Sequence, residues 1–205
     1  MSEQNPVPDK APYHPPAFTL GPNLALYDVP LASYLPSNLC ASGIPYQGIA
    51  TGSVVIDPRT TKVLLVQRAP HDSMPLRWET PGGAVDPEDE SIIHGAVREL
   101  YEEAGLVATR VCEVVGGVRV FFTRRGQLMG RINFLVEVDV PQDGDIDVKL
   151  DPNEHVQYVW ASEEEARAKR VDEVVFEYTN KAQEQTIYEA FRIWRERASG
   201  TSETL

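Results

Sequence analysis

The sequence predicts an α/β fold. Short β-branched and apolar runs follow one another between turn signals from about residue 47 onward. Two segments carry the 3.6-residue apolar period of a helix, and strands and helices are intermixed along the chain. Intermixing alone also admits α+β. At 205 residues the chain can bury a sizeable core as one domain. Apolar residues make up 42% and charged residues 24%, ordinary globular values that point to neither a disordered chain nor a fibre.

The elements follow in order. Pro6, Pro8, Pro12, Pro15, Pro16, Pro22, Pro30 and Pro36 punctuate the first 45 residues. Each proline removes a backbone donor, so no helix and no inner strand is expected there. We read 1–45 as a proline-rich arm packed on the domain or on a partner subunit, with a mobile tail as the other reading of its first 20 residues. The patterned domain is 46–198, and 199–205 is a short tail. Within the domain, Ile49 to Ile56 reads as a strand. Asp57-Pro58-Arg59 is a turn, and Lys62 to Gln67 is a second strand, apolar enough for a sheet interior. Trp78-Glu79-Thr80 leads into the turn Pro81-Gly82-Gly83. A helix is expected from about Glu90 to Ala104, closed by Gly105 as a C-terminal cap. Val111 to Thr123 and Leu128 to Val140 flank the turn Arg124-Arg125-Gly126-Gln127, and a last strand covers His155 to Ala161. Ile187, Ala190, Phe191 and Trp194, at i, i+3, i+4 and i+7, give the terminal helix one apolar face.

Charge narrows the function. Lys+Arg 19 against Asp+Glu 31 leaves −12. Such a chain has no broad basic face, which argues against nucleic acid as partner. If it handles phosphates, it needs local arginines or a divalent cation. No apolar run approaches the roughly 18 residues of a membrane span, and the N-terminus lacks the apolar core of a secretory signal. No membrane association and a cytoplasmic location are therefore expected. Cys40 and Cys112 have no zinc or redox spacing and read as reduced thiols.

The helix from Glu90 carries the chemistry. Ile93, Ala96, Val97, Leu100 and Ala104 fall in one stripe that can pack on the sheet. Glu99, Glu102 and Glu103 fall together on a different face. Like charges at this spacing repel by a few tenths of a kcal/mol when exposed, and more when partly buried. A hard divalent cation would turn that repulsion into a site. Gly95 lies near the same face and leaves room for a ligand. Without further context, a solvated helix face and an Arg98–Glu102 surface ion pair account for the same letters.

The context is the string PGGAVDPEDESIIHGAVRELYEEAGL, Pro81 to Leu106. It resembles the signature of the Nudix hydrolases: Gly, five residues, Glu, seven residues, then Arg-Glu-aliphatic-x-Glu-Glu-x-Gly-aliphatic. Glu90, seven residues and Arg98-Glu99-Leu100-Tyr101-Glu102-Glu103-Ala104-Gly105-Leu106 match every fixed position of the second half. The first half departs from it. Six residues separate Gly83 from Glu90, which places the extra residue in the loop Asp86-Pro87-Glu88-Asp89. The resemblance covers about residues 47–198.

The resemblance implies an α/β/α sandwich around a mixed sheet, and hydrolysis of a nucleoside diphosphate linked to a moiety X. ADP-ribose, a nucleotide sugar or a dinucleotide would be such a substrate; an oxidised nucleoside triphosphate of the 8-oxo-dGTP type is the alternative. It implies Mg²⁺ or Mn²⁺ held by Glu99, Glu102, Glu103 and the Gly83 backbone oxygen, with those three glutamates and Arg98 as the catalytic set and a base among the three as one reading. Glu154, six residues before Trp160, would be an additional ligand or base, and Arg98 would orient the carboxylates. Trp78, Phe121 and Phe122 are candidates for stacking on substrate, and Arg77, Arg119 and Arg131 for phosphate contact, each with a structural role as the competing reading. Many members form dimers, and the arm could clasp a second subunit. A non-catalytic binding domain of the same fold is set against this, although such domains lose the box glutamates that are all present here.

Overall fold

The structure is a computed structural model and describes residues 13–200. The prolines at 6, 8 and 12 and the tail 201–205 lie outside the described residues. A seven-stranded mixed sheet runs in the order β1 (Thr19–Leu20), β5 (Ala108–Phe122), β6 (Leu128–Val138), β2 (Gly48–Asp57), β3 (Lys62–Arg68), β4 (Trp78–Glu79), with β7 (His155–Ala161) also paired to β3. β2 and β6 are parallel, from Gly48 opposite Met129 to Val55 opposite Val136, whereas β5 and β6 form an antiparallel hairpin.

All ten residues of β2 are buried, because helices cover both of its faces. Ile49 and Val55 join Leu64, Phe134 and the apolar stripe of α2 (Ile92–Ala104) on one side. Val54 and Ile56 join Leu65, Trp78, Leu135 and α4 (Lys181–Gly200) on the other. Ile187, Ala190 and Phe191 are the buried face of α4. The period-2 alternation of β2 thus builds both layers of the sandwich.

The proline-rich segment is more regular than its composition suggests. It forms β1, parallel to β5, and α1 (Leu31–Ser37). Pro36 is tolerated because it falls at the end of a seven-residue helix, where it removes at most one bond. Leu24 and Tyr34 are buried in the α2-side core. A short α3 (Glu163–Ala168) follows β7, its start closed by the reciprocal capping box of Ser162 and Glu165. β8 (Arg170–Val171) and β9 (Val174–Val175) make a separate two-stranded ribbon. Both cysteines are free and buried. Among the described residues no helix is long and apolar enough to cross a membrane.

Candidate active site

The turn Pro81-Gly82-Gly83 is pinned to β2 by two backbone bonds: Ser53 N–H donates to the Pro81 carbonyl and Thr51 N–H to the Gly83 carbonyl, each at 2.8 Å. Gly82 has φ 147°, and a Cβ there would lie 2.2 Å from the Thr51 carbonyl oxygen. Only glycine can lie against β2 in this way. The buried Gly82 N–H, freed from the ladder, donates to a Glu103 carboxylate oxygen at 2.6 Å. At Gly83, a Cβ would stand 2.6 Å from Glu99 Oε2. The glycine pair therefore brings the backbone against the carboxylates of α2.

α2 sets those carboxylates at different depths. Ser91 caps its start, accepting the His94 N–H, and Gly105 closes it in the left-handed region at φ 69°. Glu103 is buried at 4% exposure, so it does not share an open face with its neighbours. The Glu99 side chain is 13% exposed and that of Glu102 is 34%. Burial pushes the Glu99 carboxyl up to about 7, with Glu102 and Glu154 adding to the rise against the opposing pull of Arg98. Burial likewise lifts Glu103 well above the carboxylate range, helped by Glu99, a side-chain hydrogen bond with Glu154, and Glu79. Like charges packed out of water favour protons, or a cation in their place.

Arg98 is the counterion within this group. Its Nη1 donates to Glu99 and Glu102, both at 2.9 Å, and its Nη2 donates to the Ala84 carbonyl at 2.9 Å. Its Nε and Nη2 donate to Asp89 at 2.9 and 3.0 Å. The Asp89 contact moves the extra residue of the box. Five residues separate Gly83 from Asp89, and Asp89 is the loop carboxylate that meets the arginine. Glu90 is 80% exposed and turns back toward His94. The inserted residue is thus Glu90, at the edge of the helix cap, rather than one within the loop before it. Gly95 also has a different reason: its missing Cβ makes room for Asp89, whose Oδ2 would lie 2.8 Å away, not for a ligand.

The other candidates divide. Glu154 reaches Glu103 from the loop before β7. Trp78 is only 1% exposed and packs on Phe176, so it offers no face to a ligand, and its stacking role is corrected to a core role. Arg77 pairs with Glu177 on the surface. Phe121 and Phe122 are exposed near the tip of the β5–β6 hairpin. Arg131 lies on the α4 side of β6, where its Nε donates to Asn133 Oδ1 at 3.2 Å and its buried Nη2 has no hydrogen-bond partner. Around it the structure gathers residues the sequence did not single out. A Cβ on Gly52 would meet Asn133 Oδ1 at 2.3 Å, Arg131 Nη2 at 2.9 Å and Thr80 Oγ1 at 3.3 Å. Gln183 Nε2 donates to Thr80 at 3.1 Å. Polar side chains from β6, the loop after β4 and α4 converge over a glycine floor, one peptide away from Pro81. No sequence spacing links these residues; only the sheet order does.

Oxygen donors from Glu99, Glu102, Glu103 and Glu154 suit a hard divalent cation, and two of them, Glu99 and Glu103, are raised in pKa chiefly by burial and further by their neighbouring carboxylates. As placed, no three described His, Cys, Asp or Glu side chains converge on one point. Arg98 draws Glu99 and Glu102 to itself, and the Gly82 N–H holds Glu103.

Comparison with known proteins agrees with this geometry. A family model described as the NUDIX domain matches residues 47–181. A CTP pyrophosphohydrolase of Escherichia coli (strain K12) is 40% identical over 108 residues, 53% of this chain and 72% of the relative. The solved MutT protein of Methanosarcina mazei Go1 is 25% identical with a TM-score of 0.54, covering 72% of this chain and 94% of that one. A NUDIX hydrolase from Nitrosomonas europaea is 27% identical with a TM-score of 0.51, covering 69% and 86%. The mixed sheet with flanking helices is the fold they share.

Proposed function

This chain belongs to the NUDIX family of pyrophosphohydrolases, and from that premise we propose that it uses water to cleave the pyrophosphate bond of a nucleoside diphosphate linked to a moiety X. The observation that carries this reading is the buried Glu103 and the mostly buried Glu99 against Gly82 and Gly83, with Glu102 and Glu154 at their rim. Bound there, Mg²⁺ or Mn²⁺ would supply neutralisation of the phosphate oxygens and a water of lowered pKa.

Glu99, Glu102 and Glu103 are the proposed ligands, and the Gly83 carbonyl, which already accepts one N–H, has its second lone pair to offer. With a cation held by these carboxylates, Glu99 and Glu102 would no longer depend on Arg98 as their counterion. Arg98 keeps Asp89 and the Ala84 carbonyl, and so remains a positioning group. Glu154, exposed and in contact with Glu103, is placed to accept the proton of the attacking water. Behind this site the buried Asn133 and Gln183 amides and the unpartnered Arg131 Nη2 form a polar backing beside Gly52.

The E. coli relative is named for CTP, and a nucleoside triphosphate is a nucleoside diphosphate whose X is phosphate. CTP therefore heads the test panel, followed by ADP-ribose, nucleotide sugars, diadenosine polyphosphates and 8-oxo-dGTP, each in Mg²⁺ and in Mn²⁺. Turnover that requires metal and vanishes in Glu102→Gln supports the reading. A folded protein that binds metal and turns over nothing on the panel removes it.

A further inference from the structure

A second cationic feature lies outside this site. A cavity of about 450 Å³ opens between β5, α3 and α4, within the size range of small-ligand sites. Arg119, Arg167, Arg192 and Arg195 line it, with Gln185, Tyr188 and one carboxylate, Glu189. In a chain of net charge −12 with only 19 basic side chains, four guanidinium groups around one cavity are a local concentration of basic groups. Three separate segments deliver them, so the grouping does not follow from one helix period.

Each arginine is held in place. Arg192 donates to Glu189 and Glu196 at 2.6 Å, and Arg167 donates to Glu163 at 2.7 Å. Arg195 also pairs with Glu163. The Arg167 guanidinium lies 4.1 Å from the Tyr188 ring centroid, which fixes its plane.

Arg119 is the exception. Its Nη1 donates to Gln185 Oε1 at 3.3 Å, its Nε is buried without a hydrogen-bond partner, and it has no ion pair among the described residues. The backbone is shaped around it: Gly116 and Gly117 stand at φ 75° and 70°, and the β5–β6 register shifts between Val115 and Arg119. A Cβ on Gly116 would lie 3.3 Å from Arg119 Nη2. A bulge with two left-handed residues thus folds the strand back over a guanidinium whose Nε has no hydrogen-bond partner and on which the Glu189 carboxylate acts only through space.

We propose that this groove is a second anion site, which binds a small phosphate-bearing ligand independently of the α2 carboxylates. Arginine forks arranged around an open centre match phosphate oxygens in both geometry and charge. The carboxylates that orient three of them reduce the cost of ordering long side chains on binding. Because α4 also supplies Gln183 and Thr186 to the buried polar cluster beside Gly52, a ligand here would touch the outer side of the helix that backs the Pro81 turn.

The test titrates inorganic pyrophosphate into the full-length protein in EDTA by calorimetry, so that no metal bridges it to the α2 carboxylates. Binding should weaken as salt is raised. It should fall by about tenfold or more in Arg167→Gln/Arg192→Gln and in Arg119→Gln, and persist in Glu102→Gln and Arg131→Gln. Arg167 and Arg192 are half exposed, so the double variant keeps the test valid if Arg119→Gln does not fold. Absence of binding, equal binding in the arginine variants, or loss in Arg131→Gln instead would overturn the second site. Any of these would leave the hydrolase reading untouched.

Discussion

The Val29 carbonyl accepts the N–H of Ile92 at 3.1 Å, and the Tyr27 carbonyl accepts that of Ile93 at 3.3 Å. The proline-rich segment therefore satisfies two of the donors that every helix leaves open at its start, and it does so on the helix that carries the carboxylates. Leu24, 2% exposed, anchors that segment in the core. Leu24→Ala should cost about 2–4 kcal/mol in urea unfolding, as for other buried leucines. A loss within error of zero would show that the segment does not brace the domain.

Asp89 and Glu90 make a sharper pair. Asp89 is bound to Arg98 through two nitrogens, whereas Glu90 faces solvent. Removing one partner of a partly buried charge-assisted bond costs about 1–3 kcal/mol, and an exposed pair is worth little. Asp89→Asn should therefore lower both stability and kcat, while Glu90→Gln should leave both near wild type. The reverse order would return the box glutamate role to Glu90.

The carboxylates give a pH dependence whose sign can be fixed. The folded-state pKa of Glu99 is about 7, above the ordinary value, and that of Glu103 is raised further in the same direction. A raised folded pKa contributes stability below the unfolded value, and that stability is lost as pH rises through the folded one. In EDTA, the thermal midpoint should thus fall between about pH 5 and pH 8, and Glu99→Gln should flatten that slope. Asp72 acts oppositely: burial opposes its ionisation, but the Met74 N–H, Arg68 and Ser73 hold it at about 2. Its contribution is present above the ordinary aspartate pKa and is lost only as pH falls toward 2. A divalent cation should release protons near pH 7 in a weakly buffered titration, since it binds the ionised form. A flat midpoint in EDTA with no proton release would contradict the raised carboxylates.

Much of this was legible in the residues, for identifiable reasons. The β-branched runs gave β2 and β3, and the stripe from Ile93 to Ala104 gave α2, because burial enforces a period that the letters display. Gly105 marked its own cap. The box named the carboxylates, but it could not say that Glu103 would be buried and Glu102 half open, since depth is set by where the Gly82 turn crosses β2. Trp78 illustrates the same point: an aromatic beside a glycine turn can stack on a ligand or pack in the core, and only the position of Phe176 decides for the core. The polar floor of Gly52, Asn133 and Gln183 was invisible, because β2 and β6 meet in parallel across about eighty residues of chain. Proline density hid α1, where Pro36 falls at the helix end and costs little.

Gly83 tests the site with the least ambiguity. A Cβ there would sit 2.6 to 2.8 Å from three atoms of the Glu99 carboxylate group, closer than real carbon contacts allow. The β2 side cannot yield, because Thr51 is bonded to the Gly83 carbonyl. The strain must then fall on Glu99. Gly83→Ala should cost about 1–3 kcal/mol, as overpacking does, and should lower kcat more than it raises KM. Glu99→Asp draws the carboxylate back by one methylene. Combined with Gly83→Ala, it should destabilise less than the two single changes add up to, with a coupling of about 0.5–3 kcal/mol. Strict additivity in unfolding would mean that Gly83 and Glu99 do not press on each other, and the carboxylate would then have to be placed elsewhere.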